Sequence, residues 1–279
     1  MSTAALAIVL LAAVLHASWN AIVKGAGDRA LTVGAVAAAH VIVGLAALPF
    51  VPVPAAEAWP YIVASTVIHI FYYGFLFLSY RFGDLSHVYP IARGVAPLLV
   101  ALGALAFAGE MLSPAGWSGV GAVSAGIAIL ALRRNGIATA DRSAVLAALA
   151  TGTMIAGYSV VDGIGIRLAG APSGYIAWLF AFELPVAAGV LALRARRGAL
   201  PRRALSIGLA GGLLSAAAYA LALYAKTIAP LAAVSAVRES SVIIAALIGI
   251  VLFRERPVGR RLVAAAVVAA GVILLATAG

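Results

Sequence analysis

Ten stretches of about twenty apolar residues, each stopped by proline, glycine or charge, follow one another through nearly the whole of this 279-residue chain. They fall at 3–24, 31–51, 58–81, 85–108, 114–132, 143–168, 173–193, 204–227, 230–253 and 258–277. A helix of that length crosses the hydrocarbon layer of a bilayer. Only helices and closed barrels can do so, because lipid leaves every backbone N–H and C=O to be satisfied within the protein. Charged residues make up 10% of the chain, against about 25% in soluble domains. A water-facing surface of ordinary size cannot be built from so few. The expected fold class is an all-α integral membrane protein of ten transmembrane helices.

The breaks between the stretches, at 25–28, 52–54, 83–84, 133–136, 170–172, 196–203, 230 and 254–259, are too short to hold a soluble domain. No Gly-rich phosphate loop ending in Lys-Ser or Lys-Thr is present, which argues against direct drive by ATP. With no cysteine in the chain, a disulfide framework and a thiolate metal site are both excluded. No cofactor or metal is expected. The apolar run Ala4 to Val14 has no basic residue before it, so it is expected to be a retained first span, a cleaved signal peptide being the alternative.

A net charge of +10 suggests nucleic acid only until its distribution is considered. One set of alternate connections receives Lys24, Arg29, Arg81, Arg133, Arg134, Arg142, Arg194, Arg196, Arg197, Arg202, Arg203, Arg254, Arg256, Arg260 and Arg261, whereas the other receives Arg167 and Lys226. Basic loops stay in the cytoplasm. The expectation is a multi-pass protein of the bacterial inner membrane with both termini outside, surrounded by lipid, with no nucleic-acid partner, and a monomer or weak homodimer.

The chain also repeats itself. At an offset of 145 residues, Arg81 falls on Lys226, Arg93 on Arg238, Glu110 on Glu255 and Gly126 on Gly271; at 139, Trp19 falls on Tyr158. Each repeat, 1–139 and 140–279, contains five spans. An odd number forces the second copy to enter the membrane from the opposite face, giving two inverted five-helix repeats around a central cavity. That architecture lets a carrier open alternately to either side.

Polar side chains at membrane depth face a bundle interior or a wet cavity. The first span carries His16, Trp19, Asn20 and Lys24, which share a helical face. The third carries Ser65, His69, Tyr72, Tyr73 and Tyr80, and the fourth Ser86, Tyr89 and Arg93. The sixth has Thr151, Tyr158 and Asp162, the eighth Ser215, Tyr219 and Lys226, and the ninth Ser235, Arg238, Glu239 and Ser241. These six spans are expected to surround the cavity. The fifth and tenth are small and aliphatic, and the second (His40) and seventh (Trp178, Glu183) are intermediate.

Arg93 and Arg238 each lie roughly 12 Å inside their spans at 1.5 Å per residue. A guanidinium there costs at least about 2.5–3.5 kcal/mol, so it needs a partner. Adjacent helical residues point about 100° apart, which turns Glu239 away from Arg238 and toward another helix, Arg93 being the candidate. The two arginines either form a buried ion-pair network that fixes helix packing or engage an anionic group, since guanidinium matches carboxylate and phosphonate in bidentate fashion. Pro90 and Pro97 free the carbonyls of Ser86 and Arg93, as a kink or as a cavity wall. Tyr72, Tyr73, Tyr89, Tyr158, Tyr219 and Trp19 are either packing residues or the wall of a pocket able to hold an ammonium group. His16, His69, Asp162, Glu183 and Glu239 are either hydrogen-bonded packing residues or proton carriers, with Asp162, Glu239 and His16 the foremost for coupling.

With the motifs His16-Ala17-Ser18-Trp19-Asn20, Tyr89-Pro90-Ile91-Ala92-Arg93-Gly94 and Val237-Arg238-Glu239-Ser240-Ser241, and the helix ends Gly109-Glu110 and Arg254-Glu255, the chain resembles the EamA-like branch of the drug/metabolite transporter superfamily over its whole length. The resemblance implies a basket-shaped bundle with its cavity among the same six spans. It also implies transport of amino acids or other metabolites, more often outward than inward. Members with similar motifs resemble permeases associated with phosphonate use, which points toward an aminophosphonate or a similar zwitterion.

The functional expectation is a secondary carrier of a small zwitterionic or anionic metabolite, such as an amino acid or aminophosphonate, working by alternating access. Arg93 or Arg238 would hold the acidic group, with Glu239, Asn20, His16, His69, Trp19 and the tyrosines around the rest. The alternatives are an exporter of amines or of cationic or aromatic drugs, an intramembrane enzyme built on His16 and Asp162, and a non-transporting receptor. No Gly-x-Ser-x-Gly or His-Glu-x-x-His run supports the enzyme.

Overall fold

Backbone groups in lipid have no water to bond, and this chain meets that demand locally, turn by turn. The computed structural model describes residues 1–24, 28–82, 85–131, 142–251 and 258–278, which are helical almost throughout and contain no strand. In chain order the helices are α1 (Thr3–Lys24), α2 (Arg29–Ala47), α3 (Trp59–Phe82), α4 (Leu85–Ala108), α5 (Pro114–Ala131), α6 (Arg142–Leu168), α7 (Pro172–Ala181), α8 (Leu184–Ala195), α9 (Arg202–Ile228), α10 (Leu231–Arg238), α11 (Ser241–Val251) and α12 (Val258–Thr277). Among the described residues nine helical segments are long and apolar enough to cross a membrane, and Pro114–Leu130 of α5 is a shorter apolar helix. Large apolar side chains stand on the outside of the bundle, among them Phe71, Phe77, Phe107 and Ile273, where only lipid can cover them. The protein is a multi-pass membrane protein. The division at 139/140, the breaks at 25–27 and 83–84, Arg133, Arg134, Arg254, Glu255 and Arg256 lie outside the described residues, as do the side chains of Lys24, Arg29, Tyr80 and Ser86.

Two of the crossings, Pro172–Ala195 and Leu231–Ile248, are interrupted at mid-membrane. In the first, Pro185 has no N–H to bond the carbonyl of Ala181. α7 ends at that residue, and the Glu183 N–H bonds the Phe180 carbonyl at 3.2 Å instead. In the second, Glu239 and Ser240 tighten onto the carbonyls of Ala236 and Val237 at 3.0 and 2.9 Å, the short-range pattern of a 3₁₀ turn. Each interruption therefore places a glutamate where a straight helix would have continued. α4, by contrast, runs through Pro90 and Pro97 as one helix.

The packing partners are distant in sequence. α3 lies on α6, α1 on α9, and α2 on α7, α8 and α9. α5 and α12 pack on each other, which explains their small, aliphatic composition. A Cβ on Gly271 would lie 2.7 Å from the Gly119 carbonyl oxygen, so the two backbones meet at a distance only glycine permits. At the start of α2, the Asp28 carboxylate accepts the Leu31 N–H at 3.0 Å and Nε of Arg194, in the last turn of α8, at 2.6 Å. This N-cap ties two helix ends together on the basic side.

Candidate functional site

A cavity of about 140 Å³ lies among α1, α2, α3, α4, α6, α9, α10 and the α7–α8 junction. Its lining runs from mid-helix toward the basic end of each of the first three helices: His16 to Val23 in α1, Val33 to His40 in α2, and His69 to Leu76 in α3. The remaining wall comprises Arg93, Tyr158, Glu183, Ser215, Tyr219 and Arg238.

The two arginines have different surroundings. Arg93 is buried at 5% exposure and its Nη2 lies 2.9 Å from the Glu239 carboxylate, itself 4% exposed. This pair offsets the cost of burying either charge. Arg238 has no carboxylate partner within ion-pair distance among the described residues. Its guanidinium lies 5.5 Å from the centre of the Tyr219 ring, within cation–π range, and its Nε, like that of Arg93, has no hydrogen-bond partner.

His16 lies between the arginines. Nη2 of Arg93 is 3.4 Å from its Nε2, Nη2 of Arg238 is 3.5 Å from its Nδ1, and the Trp19 indole N–H reaches Nδ1 at 3.3 Å. A neutral imidazole offers one lone pair and one N–H, so it cannot accept at both nitrogens. The Trp19 N–H can only donate, so Nδ1 is the accepting nitrogen, shared with Arg238 at long range, and Arg93, which faces Nε2, relies on Glu239.

Aromatic rings fill the middle. His69 stacks on Tyr158 with centroids 4.2 Å apart, and its Nδ1 donates to the Ser65 carbonyl at 2.8 Å. Tyr219 and Tyr175 both donate hydroxyl hydrogen bonds to Asp162, the latter at 3.0 Å. Lys226 donates to the Ser159 carbonyl at 2.7 Å. Glu183, at the interrupted crossing, accepts or shares a hydrogen bond with Nδ1 of His40 at 3.0 Å.

Of the residues singled out in the sequence, His16, Trp19, His69, Tyr72, Tyr73, Arg93, Tyr158, Tyr219 and Arg238 line the cavity. Asn20 instead bonds the His16 carbonyl at 2.7 Å on its own helix. Tyr89 stands 6.0 Å from the Arg93 guanidinium and Glu239 holds that group, both outside the cavity lining. Asp162 is committed to its two tyrosines. His16 and Asp162 therefore have separate partners and do not form the acid–base pair an enzyme would need. Helices α2 and α7–α8 also contribute, through His40 and Glu183, although the polarity of their spans was only intermediate. The signal was present: an ionisable residue at mid-membrane is a site candidate even when it is alone on its helix. Among the described residues no cluster of three or more metal-ligating side chains occurs.

Comparison with curated proteins finds no match. A solved structure described as "Crystal structure of protein" superposes with a TM-score of 0.74 at 21% identity, over 99% of this chain and 97% of that one. At that identity the likeness is one of fold, and it extends over the whole bundle. The EamA-like transporter family matches residues 142–277, the half that supplies Tyr158, Glu183, Tyr219 and Arg238 to the cavity. Over residues 142–277 the chain is similar to the EamA-like transporter family, and its likeness in fold to a solved structure covers the whole bundle.

Proposed function

We propose that the protein is a secondary carrier of the bacterial inner membrane that moves a small acidic or zwitterionic metabolite by alternating access, with Arg238 holding the acidic group. The observation that carries this reading is the contrast between the arginines. Glu239 neutralises Arg93, whereas Arg238 faces the cavity with an aromatic ring and a long contact to His16. A guanidinium that lacks a carboxylate favours a solute carrying one, or a phosphonate, in the same bidentate geometry.

The reciprocal packing of α3 on α6 and α1 on α9 supports two inverted five-helix repeats, because exchanging the repeats turns the first contact into the second. The cavity lining runs toward the basic helix ends, which the distribution of Lys and Arg assigns to the cytoplasm with both termini outside. This conformation then faces inward.

The test is uptake and counterflow in proteoliposomes with carboxylate and phosphonate solutes, using Arg238→Ala. The expected result is a loss of at least about tenfold in transport, the size of one charge-assisted contact, with unfolding temperature little changed. Full transport by folded Arg238→Ala overturns the assignment.

A further inference from the structure

The cavity carries a second charged group that the acid-binding reading does not use. Glu183 and His40 both line it, at 5% and 6% exposure, and come from helices that pack on each other, α2 against the α7–α8 crossing. One hydrogen bond of 3.0 Å joins His40 Nδ1 to Glu183 Oε1. The outer atom of each group, Oε2 of Glu183 and Nε2 of His40, is buried without a hydrogen-bond partner. A buried carboxylate normally accepts several hydrogen bonds, and an oxygen left without any is costly. The interruption at Pro185 places this carboxylate at the cavity wall, since α7 stops at Ala181 and the chain turns at Phe182 and Glu183.

The surroundings suit a cation. Phe180 lies 4.8 Å from the His40 ring and 6.3 Å from the Tyr219 ring, and Tyr219 is the ring that Arg238 faces at 5.5 Å. One aromatic side chain thus connects the guanidinium pole to the surroundings of the carboxylate pole. Tyr72, Tyr73 and Tyr158 complete an electron-rich wall that attracts ammonium and repels a second carboxylate. A monoanion satisfies Arg238 and leaves Oε2 of Glu183 buried without a hydrogen-bond partner. A zwitterion satisfies both.

We infer that Glu183, held by His40, is the ammonium-recognising pole of the cavity, so that the solute is a small zwitterion bearing a primary amine as well as its carboxylate or phosphonate, and not a simple organic anion. The inference rests on Arg238 binding the acidic group.

The experiment compares solutes that differ only in a hydroxyl where the partner has an ammonium: L-alanine with L-lactate, β-alanine with 3-hydroxypropionate, and 2-aminoethylphosphonate with 2-hydroxyethylphosphonate. Uptake is measured in proteoliposomes of wild type, Glu183→Gln and Glu183→Asp. Wild type should take the amine of at least one pair about tenfold or more in preference to its hydroxyl partner, because a site built for a substrate N–H rejects the analogue without it. Glu183→Gln should bring that ratio close to one by losing more uptake of the amine than of its hydroxyl partner, and Glu183→Asp should keep a preference. If Glu183→Gln does not fold, His40→Gln is read in its place, with the preference falling at least about threefold. A ratio left unchanged, with both members losing equally, overturns the second pole and leaves Arg238's role intact. That is the pattern of a proton carrier acting on every solute alike. Wild-type preference for the hydroxyl member overturns it too. If wild type moves neither member of any pair, the reading of the cavity as an acid-binding carrier site fails, and this inference with it.

Discussion

Arg167 and Glu110 join three helix ends through one ion pair of 2.8 Å. Arg167, in the last turn of α6, also donates to the carbonyls of Lys226 and Ala229 at 2.7 and 2.9 Å. Glu110, just beyond α4, accepts the Leu231 N–H at 2.7 Å. That N–H is at the first residue of α10, an end with unpaired donors and partial positive charge that favours a carboxylate. The cluster sits at the opposite end of the bundle from the cavity's basic side, and it ties α4 and α6 to the α9–α10 junction.

Such a latch must release if the cavity is to open on the other side. Glu110→Gln is expected to weaken the tie by about 1.5–3 kcal/mol, the worth of hydrogen bonds to a charged group, and to shift the population toward the opposite-facing state. The chain has no cysteine, so a single Ser215→Cys in the cavity wall reports access cleanly. A membrane-impermeant thiol reagent applied from the non-basic side should label this cysteine faster in the Glu110→Gln background. Equal rates with and without the substitution would show that the pair plays no part in gating.

Removing one member of the Arg93–Glu239 pair leaves a buried charge alone. Arg93→Ala should therefore cost about 3–5 kcal/mol and lower the unfolding temperature in detergent, whereas Arg93→Met combined with Glu239→Leu should recover most of that loss. Recovery of stability without recovery of transport would assign the pair a role in the site as well as in packing. A single substitution that leaves the unfolding temperature unchanged would show that the pair does not hold the helices together.

The N-cap of α2 makes a pH prediction. The Leu31 N–H and then the Arg194 guanidinium hold the Asp28 carboxyl below the usual carboxylate range. A carboxyl with a lowered folded-state pKa contributes stability that is fully present above its unfolded value, near 4, and is lost as pH falls through the lower folded value. Wild type should exceed Asp28→Ala by about 1 kcal/mol, the usual worth of such a cap, at neutral pH, and the gap should narrow in acid below about pH 4. The measurement is the difference in unfolding temperature between the two proteins across that range. A gap that stays constant into strong acid would assign the effect to something other than the ionised carboxylate.

Much of the site was legible because buried polarity in lipid is conspicuous. Arg93 and Arg238 stood out by depth alone, and the rule that neighbours on a helix diverge turned Glu239 toward another helix, where it meets Arg93 at 2.9 Å. His40 and Glu183 were less legible. Their helices carry so few polar groups that sorting spans by polarity passed them over, and 143 residues separate the pair. Polarity also could not tell Asn20, which bonds its own backbone, from Trp19, which lines the cavity, since both share one helical face.

The chain's order of apolar runs and breaks determines by itself that it crosses the membrane as helices, because each helix closes its hydrogen bonds within about four residues and needs no distant partner to do so. Tertiary structure alone decided that Glu183 meets His40 and Glu110 meets Arg167, whereas Arg93 was already the sequence's candidate partner for Glu239. It also decided that Arg238 would line the cavity with no carboxylate within ion-pair distance among the described residues. These outcomes depend on how helices remote in sequence pack, and inside a bilayer such packing is governed by fit and polar contact rather than by the hydrophobic patterning that makes a sequence readable.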